Sequence, residues 1–529
     1  MPKFDIAIIG SGLAGLHAAS AVVGNKASVI MIDVGFNESA TLEQGENVSF
    51  EEERRTDPSQ HRIFLGDDLS GVSAPNESAG HSGNMTSGRR SYVTRASDKY
   101  SPIKTDGAII LQSLARGGLS EAWGAVCGFF DDEECRSVGL PPDEMKESYR
   151  AVIKRIGVSG DSSDFDLLPP AFIDENAQSV LQAYNGKRSF FDSSGFKVSR
   201  PPLALLTSDF GSRKKTEYRD MDFWDNIGRS VYRGHYTLEA LLGEDNFTYA
   251  DKNLVTRVEN YDDHVIVRFS NIENGEESSL EAKVVIVALG AINTTRLLLR
   301  SFGLFDKGVP VLIKDNFIIP CVLLNRLGKE PTIRRHSLCQ LAVYDEEQSS
   351  YSQLYSYNSL LLHKLLPYVP MPKPEALSLL SLFVPSIMLA DVRFPSAPNM
   401  LMSLKKASGG GDFIDISHFN PEGKKIDRDK QLGRIKKSLI RLGLVPLKTV
   451  HNPFGVAAHY AGGVPFGGPV TGQILSANEY GQLHNARRIF IADSATWKVL
   501  PAKPPALTIM ANADRIGRHV KNLFLKSLI

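Results

Sequence analysis

The segment FDIAIIGSGLAGLHAASAVVGNKASVIMIDVG, near the N-terminus, constrains the fold more than any other part of the chain. An apolar run over 4–9 precedes Gly10, Gly12 and Gly15. An alanine-rich stretch then leads to a second apolar run that closes on Asp33. This order of strand, glycine-rich turn, helix and strand predicts a βαβ unit.

The three glycines and the acid match the requirements of a dinucleotide site. Gly10 permits a tight turn, Gly12 lets the backbone approach a pyrophosphate, and Gly15 lets the helix pack closely on the strand. The helix start supplies unpaired N–H groups to the phosphates. Asp33 can accept a hydrogen bond from a ribose 2′-OH, which favours an adenosine without a 2′-phosphate. The alternative is a glycine-rich turn with no ligand, but strand, helix, second strand and acid are all in register.

Composition indicates a large soluble protein and gives no sign of a nucleic-acid partner. The 529 residues carry 60 basic and 60 acidic side chains. We find no basic, then apolar, signal segment at the N-terminus and no apolar run long enough to span a membrane. Neither paired metal-ligand spacing nor a disulfide framework relates the cysteines, which fits a reducing compartment and a cytoplasmic location. The cysteines are Cys127, Cys135, Cys321 and Cys339.

Regular and irregular segments alternate along the chain. Residues 41–102 are polar and predict a long loop excursion. The segment 253–269 alternates as strands, and VVIVALGAINTTRLLL, at 284–299, predicts a buried strand, a glycine-containing turn and a helix. A nucleotide domain assembled from separated pieces of chain is the simplest interpretation.

Further motifs occur in the order and approximate spacing of a known family. They are Gly117-Gly118-Leu119-Ser120 followed by Trp123-Gly124, the segment 284–299, His459-Tyr460-Ala461-Gly462, and IFIADSATW running into PPALTIMANADRIG. In these motifs, which span nearly the whole chain, the sequence resembles the glucose-methanol-choline oxidoreductases.

The resemblance implies an α/β protein with two domains. A Rossmann-like FAD-binding domain would be assembled from the discontinuous segments 1–40, 103–135, 230–305 and 450–529. A second, α+β substrate domain of sheet and helices would be formed by 136–229 and 306–449.

The resemblance also implies FAD as cofactor and assigns residues to it. Gly10, Gly12, Gly15 and Asp33 would hold the ADP half; Gly117, Gly118 and Ser120 would lie along the pyrophosphate and isoalloxazine; Val255 would lie near the adenine, Ala288 and Gly290 at a turn against the nucleotide, and Asp493 beside the ribityl and pyrophosphate. The alternative for Gly117 and Gly290 is that they only shape turns.

Near the C-terminus, AKPPALT places two prolines at a predicted helix start. Pro505 suits a first helical turn because its missing N–H has no partner there anyway. In the family this helix start faces the flavin, where its positive end can stabilise negative charge. The family usually places Asn or His directly before this proline, but here that position is Pro504. Lys503 is a candidate catalytic replacement, although a solvated surface lysine is the commoner role, and Asn512 is a weaker candidate.

His459 is the candidate general base, because it occupies the position of the family's catalytic histidine. Imidazole suits proton transfer because its pKa lies near neutrality. The chain has 12 histidines, and a lone histidine is usually structural. His451 and His484 are the fallback candidates.

Two segments raise the question of a membrane. Residues 360–394 are strongly apolar and broken by prolines, and 424–444 predict a basic amphipathic helix with Ile435, Leu439 and Leu442 on one face. Together they could rest peripherally on an anionic membrane and admit a lipid-bearing substrate. The alternative, which we favour from sequence alone, is a buried helical cap with a solvated basic face.

These patterns predict an FAD-dependent oxidoreductase that oxidises a CH–OH group of a sugar, a lipid-linked alcohol or another apolar alcohol. Hydride would pass to flavin N5 while His459 takes the hydroxyl proton. Two alternatives stay open: a redox-neutral FAD enzyme, such as an epimerase or lyase, and a non-catalytic flavin-binding protein.

Overall fold

A computed structural model describes most of the chain. The described residues are 1–24, 26–37, 49–67, 86, 88–219, 226–329, 336–356, 366, 369–419, 427–467 and 474–526. Their strands are β1 (Lys3–Ile9), β2 (Val29–Ile32), β3 (Ile103–Thr105), β4 (Phe196–Ser199), β5 (Phe247–Ala250), β6 (Asn253–Asn260), β7 (Val265–Asn271), β8 (Glu277–Val287), β9 (Gly308–Ile313), β10 (Phe317–Leu323), β11 (Leu341–Asp345), β12 (Ser350–Ser356), β13 (Ile387–Arg393), β14 (Met400–Lys406), β15 (Asp412–His418), β16 (Leu444–Pro446), β17 (Val450–His451), β18 (Tyr460–Gly462), β19 (Gln482–Leu483) and β20 (Ala486–Ile491).

The helices of the described residues range from one turn to more than five. They are α1 (Leu13–Val22), α2 (Phe50–Thr56), α3 (His61–Leu65), α4 (Ser97–Tyr100), α5 (Asp132–Val138), α6 (Pro142–Ile156), α7 (Glu175–Asn185), α8 (Arg188–Ser193), α9 (Gly234–Leu241), α10 (Ala291–Ser301), α11 (Lys373–Phe383), α12 (Arg428–Arg441) and α13 (Ala506–Leu525).

The first sheet has the order β19-β20-β8-β1-β2-β5, with β7 joining β8 to β6. The pairs β20–β8, β8–β1, β1–β2 and β2–β5 are parallel. Its central strands are continuous apolar runs because both faces are covered, as parallel sheets require. The predicted βαβ unit is β1, α1 and β2.

Helices α1 and α13 pack together against this sheet. A Cβ added to Gly517 of α13 would lie 2.6 Å from the carbonyl oxygen of Ala18 in α1, so the two backbones touch where a side chain would separate them. Helix α6 also packs on α13. Residues 142–156, predicted to belong to the substrate domain, therefore pack on a helix of the segment predicted to belong to the other domain.

The second sheet is antiparallel, with the order β16-β10-β13-β12-β11-β4 and β17 paired to β10. One face packs on α7 and α12 through a core that includes Leu432, Ile435 and Leu439. The third sheet, β18-β9-β14-β15-β3, joins strands from both predicted domains. Its position explains why the two sets of chain segments are held together.

The structure bears on three expectations from the sequence, which concern residues 41–102, the cysteines and membrane-spanning helices. Within 41–102, the described residues form short helices (α2, α3 and α4), so this segment is less irregular than predicted. All four cysteines are buried free thiols. In the part of the chain that the structure describes, every helix is too short or too polar to cross a membrane.

Candidate active site

One cavity of about 1490 Å³ runs between the first and second sheets. At one end it meets the carboxyl ends of β1, β2, β8 and β20, where ligands bind in open sheets with parallel strands. At the other end it reaches one face of the second sheet and the start of α13. Ligand pockets are commonly about 300–1,000 Å³, so this cavity has room for more than one small molecule.

The glycine-rich turn between β1 and α1 has its open side toward this cavity. A Cβ added to Gly15 would lie 1.9 Å from the carbonyl oxygen of Gly10, so Gly15 is required for packing and lies beneath the cavity. A Cβ added to Gly12 would meet no protein atom within 4 Å. Gly118 approaches from the opposite side, with its added Cβ 3.2 Å from the Cα of Gly12. The space beside Gly12 is therefore open and forms part of the cavity.

Asp33 lies where β2 ends and lines the cavity. Its Oδ2 accepts hydrogen bonds from Ser11 and from the Tyr249 hydroxyl, the latter at 3.2 Å. Burial raises the pKa of Asp33 to about 6, against the lowering effect of these hydrogen bonds. The carboxylate is therefore mostly ionised at pH 7 and can accept a further hydrogen bond from a ligand hydroxyl.

Asp493 lies beyond the end of β20 and is held by three donors. Its Oδ2 accepts the Gly290 N–H at 2.9 Å and the Thr294 hydroxyl at 2.5 Å, and its Oδ1 accepts the Ala495 N–H at 2.9 Å. Burial raises the pKa of Asp493 to about 6. This carboxylate ties the turn after β8 to the turn after β20, at the wall of the cavity.

Most of the other predicted cofactor residues line the cavity, and one lies behind its lining. Those that line the cavity are Gly10, Ser120, Val255, Ala288, Gly290 and Pro505, besides Gly12, Gly118, Asp33 and Asp493 described above. Gly117 is not among the lining residues. Its carbonyl accepts the Ser120 hydroxyl at 2.7 Å, and Ser120 Oγ in turn accepts the Gly234 N–H at 2.9 Å. Gly117 therefore shapes the loop that carries Gly118 and Ser120.

Helix α13 begins at the cavity. Pro504, Pro505 and Ala506 line it, and the first intrahelical bond runs from the Ile509 N–H to the Pro505 carbonyl at 2.9 Å. The N–H groups of the first turn of a helix have no intrahelical partner and carry partial positive charge. The prolines thus place the positive end of α13 at the cavity wall.

His459 lines the same cavity and is placed by the turn that enters β18. Its Nδ1 is buried without a hydrogen-bond partner among the described residues. Burial, together with the positive charges of Arg393 and Lys314, holds the pKa of the His459 imidazole well below its usual value. At neutral pH the ring is therefore uncharged and can accept a proton.

A polar group on the second sheet, which sequence reasoning missed, lies at this end of the cavity. Arg393 donates to Asp391 Oδ2 at 2.5 Å, and Asn316 donates to Asp391 Oδ1 at 3.0 Å. Arg393 Nε and Gln353 Nε2 are buried donors without a partner in the described structure. The sequence signal was the pair of charges inside the apolar run that forms β13.

Lys314 is a second missed residue. It is fully buried and donates to the carbonyls of Leu500 and Pro501, the latter in a very short contact. Burial lowers the pKa of Lys314 well below its usual value. It joins β9 to the segment that leads into α13, so it holds the helix start in place relative to the histidine turn.

The predicted catalytic role of Lys503 is not supported by its position. Its Nζ lies 2.5 Å from Glu134 and 3.0 Å from Asp131 at the start of α5, and the residue is not among those lining the cavity. Burial disfavours its charge, but the two carboxylates outweigh that effect and raise the pKa of Lys503. A lysine held in its charged form by two acids cannot serve as a base at neutral pH.

The other candidate catalytic residues also differ in whether they line the cavity. His451 lines the cavity but is exposed and stacks on Phe317 with ring centroids 4.4 Å apart. His484 is exposed and lies 2.6 Å from the Gly467 carbonyl, outside the cavity lining. Asn512 is fully buried in α13 and accepts hydrogen bonds from Arg515. Of these, only His451 shares the cavity with His459.

The chain was compared with known proteins. No protein-family model and no curated protein matches it. Among solved structures, a pyridoxine 4-oxidase from Mesorbium loti matches with a TM-score of 0.57 and 14% sequence identity, over 98% of this chain and 99% of that chain. This likeness confirms the predicted fold class, a Rossmann-like α/β domain joined to a second domain of sheet and helices.

Proposed function

We propose that the protein is an FAD-dependent oxidoreductase that oxidises a CH–OH group, with His459 as the general base. The observation that carries the proposal is the single cavity that joins the glycine-rich turn and Asp33 to His459. A dinucleotide bound along the strand ends would leave its far end near the histidine. The structural neighbour is a pyridoxine 4-oxidase, which agrees with this class of reaction.

The residues present fit FAD. The open space beside Gly12 and the start of α1 suit a pyrophosphate, and Asp33 suits a ribose hydroxyl. Buried polar atoms along the cavity, Gln112 Oε1 and Thr86 Oγ1, have no partner in the described structure, as expected where a ligand supplies one. Pro505 and the start of α13 would face the flavin end.

When bound, FAD would supply the hydride acceptor for alcohol oxidation. This chain's part is to orient the alcohol and to take its hydroxyl proton at a ring nitrogen of His459. The depressed pKa of His459 keeps that nitrogen unprotonated at neutral pH. The positive end of α13 favours negative charge at the cavity wall.

The lining of the cavity favours an alcohol that is apolar over most of its length. Besides His459 and Arg393, the lining includes a set of aliphatic and aromatic side chains from the second sheet and from α11. These are Ile318, Val322, Leu380, Phe383, Ile387 and Leu389. We therefore propose a lipid-linked or other apolar alcohol in preference to a free sugar, with its polar end at Arg393 and Gln353.

The primary test is cofactor content. Purified protein should be yellow, and the extracted cofactor should be FAD. Gly12→Val should abolish binding, because its side chain enters space that the protein leaves open. Gly433→Val is the matched control, since Gly433 also has open space around its added Cβ but lies in α12, away from the cavity. Protein that stays colourless with excess FAD would refute the proposal.

A screen of candidate alcohols under anaerobic conditions distinguishes the proposed function from its two alternatives. Lasting bleaching of the flavin absorption by an alcohol indicates net oxidation. Incorporation of solvent deuterium at the substrate carbon without lasting bleaching indicates a redox-neutral enzyme, an alternative that the apolar Pro504 keeps open. FAD binding with neither response to any alcohol indicates a non-catalytic flavin-binding protein.

A further inference from the structure

Helix α11 exposes three leucines to solvent. Its inner side is formed by Ala376 and Leu380, which are buried. Leu377 is 40% exposed, Leu379 38% and Leu382 61%, and the exposed Ser378 and Ser381 lie among them. A helix that faces water normally carries polar residues on that side. The exposed leucines of α11 therefore indicate a surface that something else covers.

Neighbouring elements extend this apolar surface. Leu324 follows the end of β10, in a helical turn that packs on the turn just after α11, and is 61% exposed. Val445 pairs with Val322 of β10, and the Leu447 N–H donates to the Pro320 carbonyl at 2.7 Å. We call the set Leu324, Leu377, Leu379, Leu382, Val445 and Leu447 the rim patch.

The rim patch is continuous with the apolar part of the cavity. Leu379 and Leu447 are both exposed to solvent and counted among the residues that line the cavity, and Leu380 and Phe383 continue the wall inward. The rim patch and the apolar part of the cavity wall therefore share Leu379 and Leu447. Contiguous exposed apolar surface of this kind marks interaction sites on soluble proteins.

The charges around the rim patch are mostly positive. Lys329, Lys373 and Lys448 are exposed and belong to the same three segments as the rim leucines. In the described parts of those segments (324–329, 371–383 and 444–449), Glu375 is the single acidic residue. Apolar side chains surrounded by lysines are complementary to an anionic bilayer, whose headgroups attract the lysines and whose interface accepts the leucines.

Helix α12, which sequence suggested as part of a docking face, does not have a free apolar side. Ile435, Leu439 and Leu442, the residues of the predicted apolar face, are buried in the core of the second sheet. Its basic residues Lys436 and Lys437 cover the outside of that core. Of the apolar segment 360–394, residues 360–365 and 367–368 lie outside the described part of the chain.

We propose that the rim patch docks on an anionic lipid bilayer. Docking would place the mouth of the cavity against the bilayer interface. Its use for the entry of an apolar alcohol rests on the function proposed above, but docking itself does not depend on that function.

The test uses the full-length purified protein and vesicles of phosphatidylcholine with and without phosphatidylglycerol. The protein should co-sediment with the anionic vesicles, and less so at high salt, because salt screens the attraction of the lysines. Replacing Leu377 and Leu382 by serine (Leu377→Ser with Leu382→Ser) should lower the partition coefficient by roughly tenfold or more, given the value of burying a leucine. Lys373→Glu with Lys448→Glu should weaken binding and its salt dependence.

Matched controls are exposed apolar residues elsewhere on the surface. Leu242→Ser and Ile440→Ser, at positions 53% and 56% exposed, should leave vesicle binding unchanged. An unchanged melting temperature of each variant establishes that the fold is intact. An effect of Ile440→Ser as large as that of the double rim variant would overturn the assignment to the rim patch.

Three further results would overturn the proposal. They are wild-type protein that ignores both kinds of vesicle, rim variants that bind as wild type does, and a dimer that the double variant dissociates while neither protein binds vesicles. The last result would mean that a second copy of the chain covers the patch. Failure of the two proposals is distinguishable, because a colourless protein that sediments refutes FAD chemistry only, and a yellow protein that does not sediment refutes docking only.

Discussion

His459 combines open access to the cavity with a positively charged surrounding. Arg393 and Lys314 both lower its pKa by disfavouring a second positive charge nearby, and burial acts in the same direction. A base with a low pKa is a weak proton acceptor but is always in its active form at neutral pH. In the proposed reaction, the positive charge of Arg393 would also favour an alkoxide and so assist removal of the substrate proton by His459.

His459→Gln should slow flavin reduction by a substrate alcohol by about 10²- to 10⁴-fold, the range typical of a lost general base. FAD content should stay unchanged, since the histidine lies at the substrate end of the cavity. Rapid-mixing absorbance of the flavin measures the rate. Lys503→Met is the comparison, and it should have a small effect because the ammonium of Lys503 is paired with Glu134 and Asp131.

The pH profile of the same rate provides an independent check. Protonation inactivates a base, so the rate should be lost only as the pH falls through the lowered pKa of His459, well below the usual histidine value. An acidic limb at the ordinary value would place the base elsewhere, with His451 as the next candidate. A rate in His459→Gln equal to wild type would remove His459 from the mechanism.

At the scale of secondary-structure elements, the start of α13 is the point where this chain departs from the pattern of the resembling family. Pro504 and Pro505 fix the backbone before the helix, and Lys314 donates to the two carbonyls just upstream. The helix start is therefore held from both sides without any polar side chain at position 504. In the proposed reaction, the proton transfer would then depend on His459.

Pro504→Asn tests whether that departure is functional. The substitution adds a polar side chain at the cavity wall and releases a fixed φ angle. We expect slower flavin reduction, with FAD retained, because a looser helix start places the cavity wall less accurately. The same rapid-mixing measurement decides the outcome. Faster reduction would mean that Pro504 only lowers the activity of an ordinary alcohol-oxidising site.

Helices α11 and α12 show how similar sequence signals lead to different uses. Both were candidates for a membrane face, but α12 buries its apolar side on the second sheet, whereas α11 has its leucines on the outside. Both helices have apolar side chains, so the packing of the folded chain, not the composition of either helix, decides which of them are covered.

At the scale of the whole molecule, the cavity separates two sheets that the third sheet ties together. A ligand that fills it contacts both halves and should stabilise the folded protein against unfolding. FAD should add about 2.7 kcal/mol at a free concentration one hundred times its dissociation constant. We therefore expect FAD to raise the melting temperature by a few degrees, measured by calorimetry, and FMN or NAD to raise it less.

This stabilisation should depend on pH through Asp33. Its pKa of about 6 in the folded protein lies above the ordinary value of 3.8, so between those values the folded state binds the extra proton. The protein without FAD therefore gains stability from Asp33 as the pH falls through 6. The FAD-dependent rise in melting temperature should shrink over the same interval, because a protonated Asp33 is a poorer acceptor for a ribose hydroxyl. A rise that is constant from pH 7 to pH 5 would contradict a role for Asp33.

Local patterns determined the parts of the fold that depend on neighbours in the chain. The glycines of the first βαβ unit, the strands at 253–260 and 265–271, and the helix after Pro505 all follow from short-range geometry and periodicity. The βαβ pattern predicted Asp33 at a ligand site, whereas Asp493 was assigned there only by the family resemblance; both line the cavity, where parallel strands end at one edge of the sheet.

Tertiary structure alone decided the contacts between distant segments. The charges of Arg393 and Lys314 act on His459, and Lys503 pairs with Glu134, across sequence separations that no sequence period encodes. The exposure of Leu382 and the burial of Leu439 were likewise open in the sequence, since both belong to apolar helical patterns. The reason is that a pattern specifies which side of an element is apolar, while the competition among elements for the same sheet face specifies which apolar sides are covered.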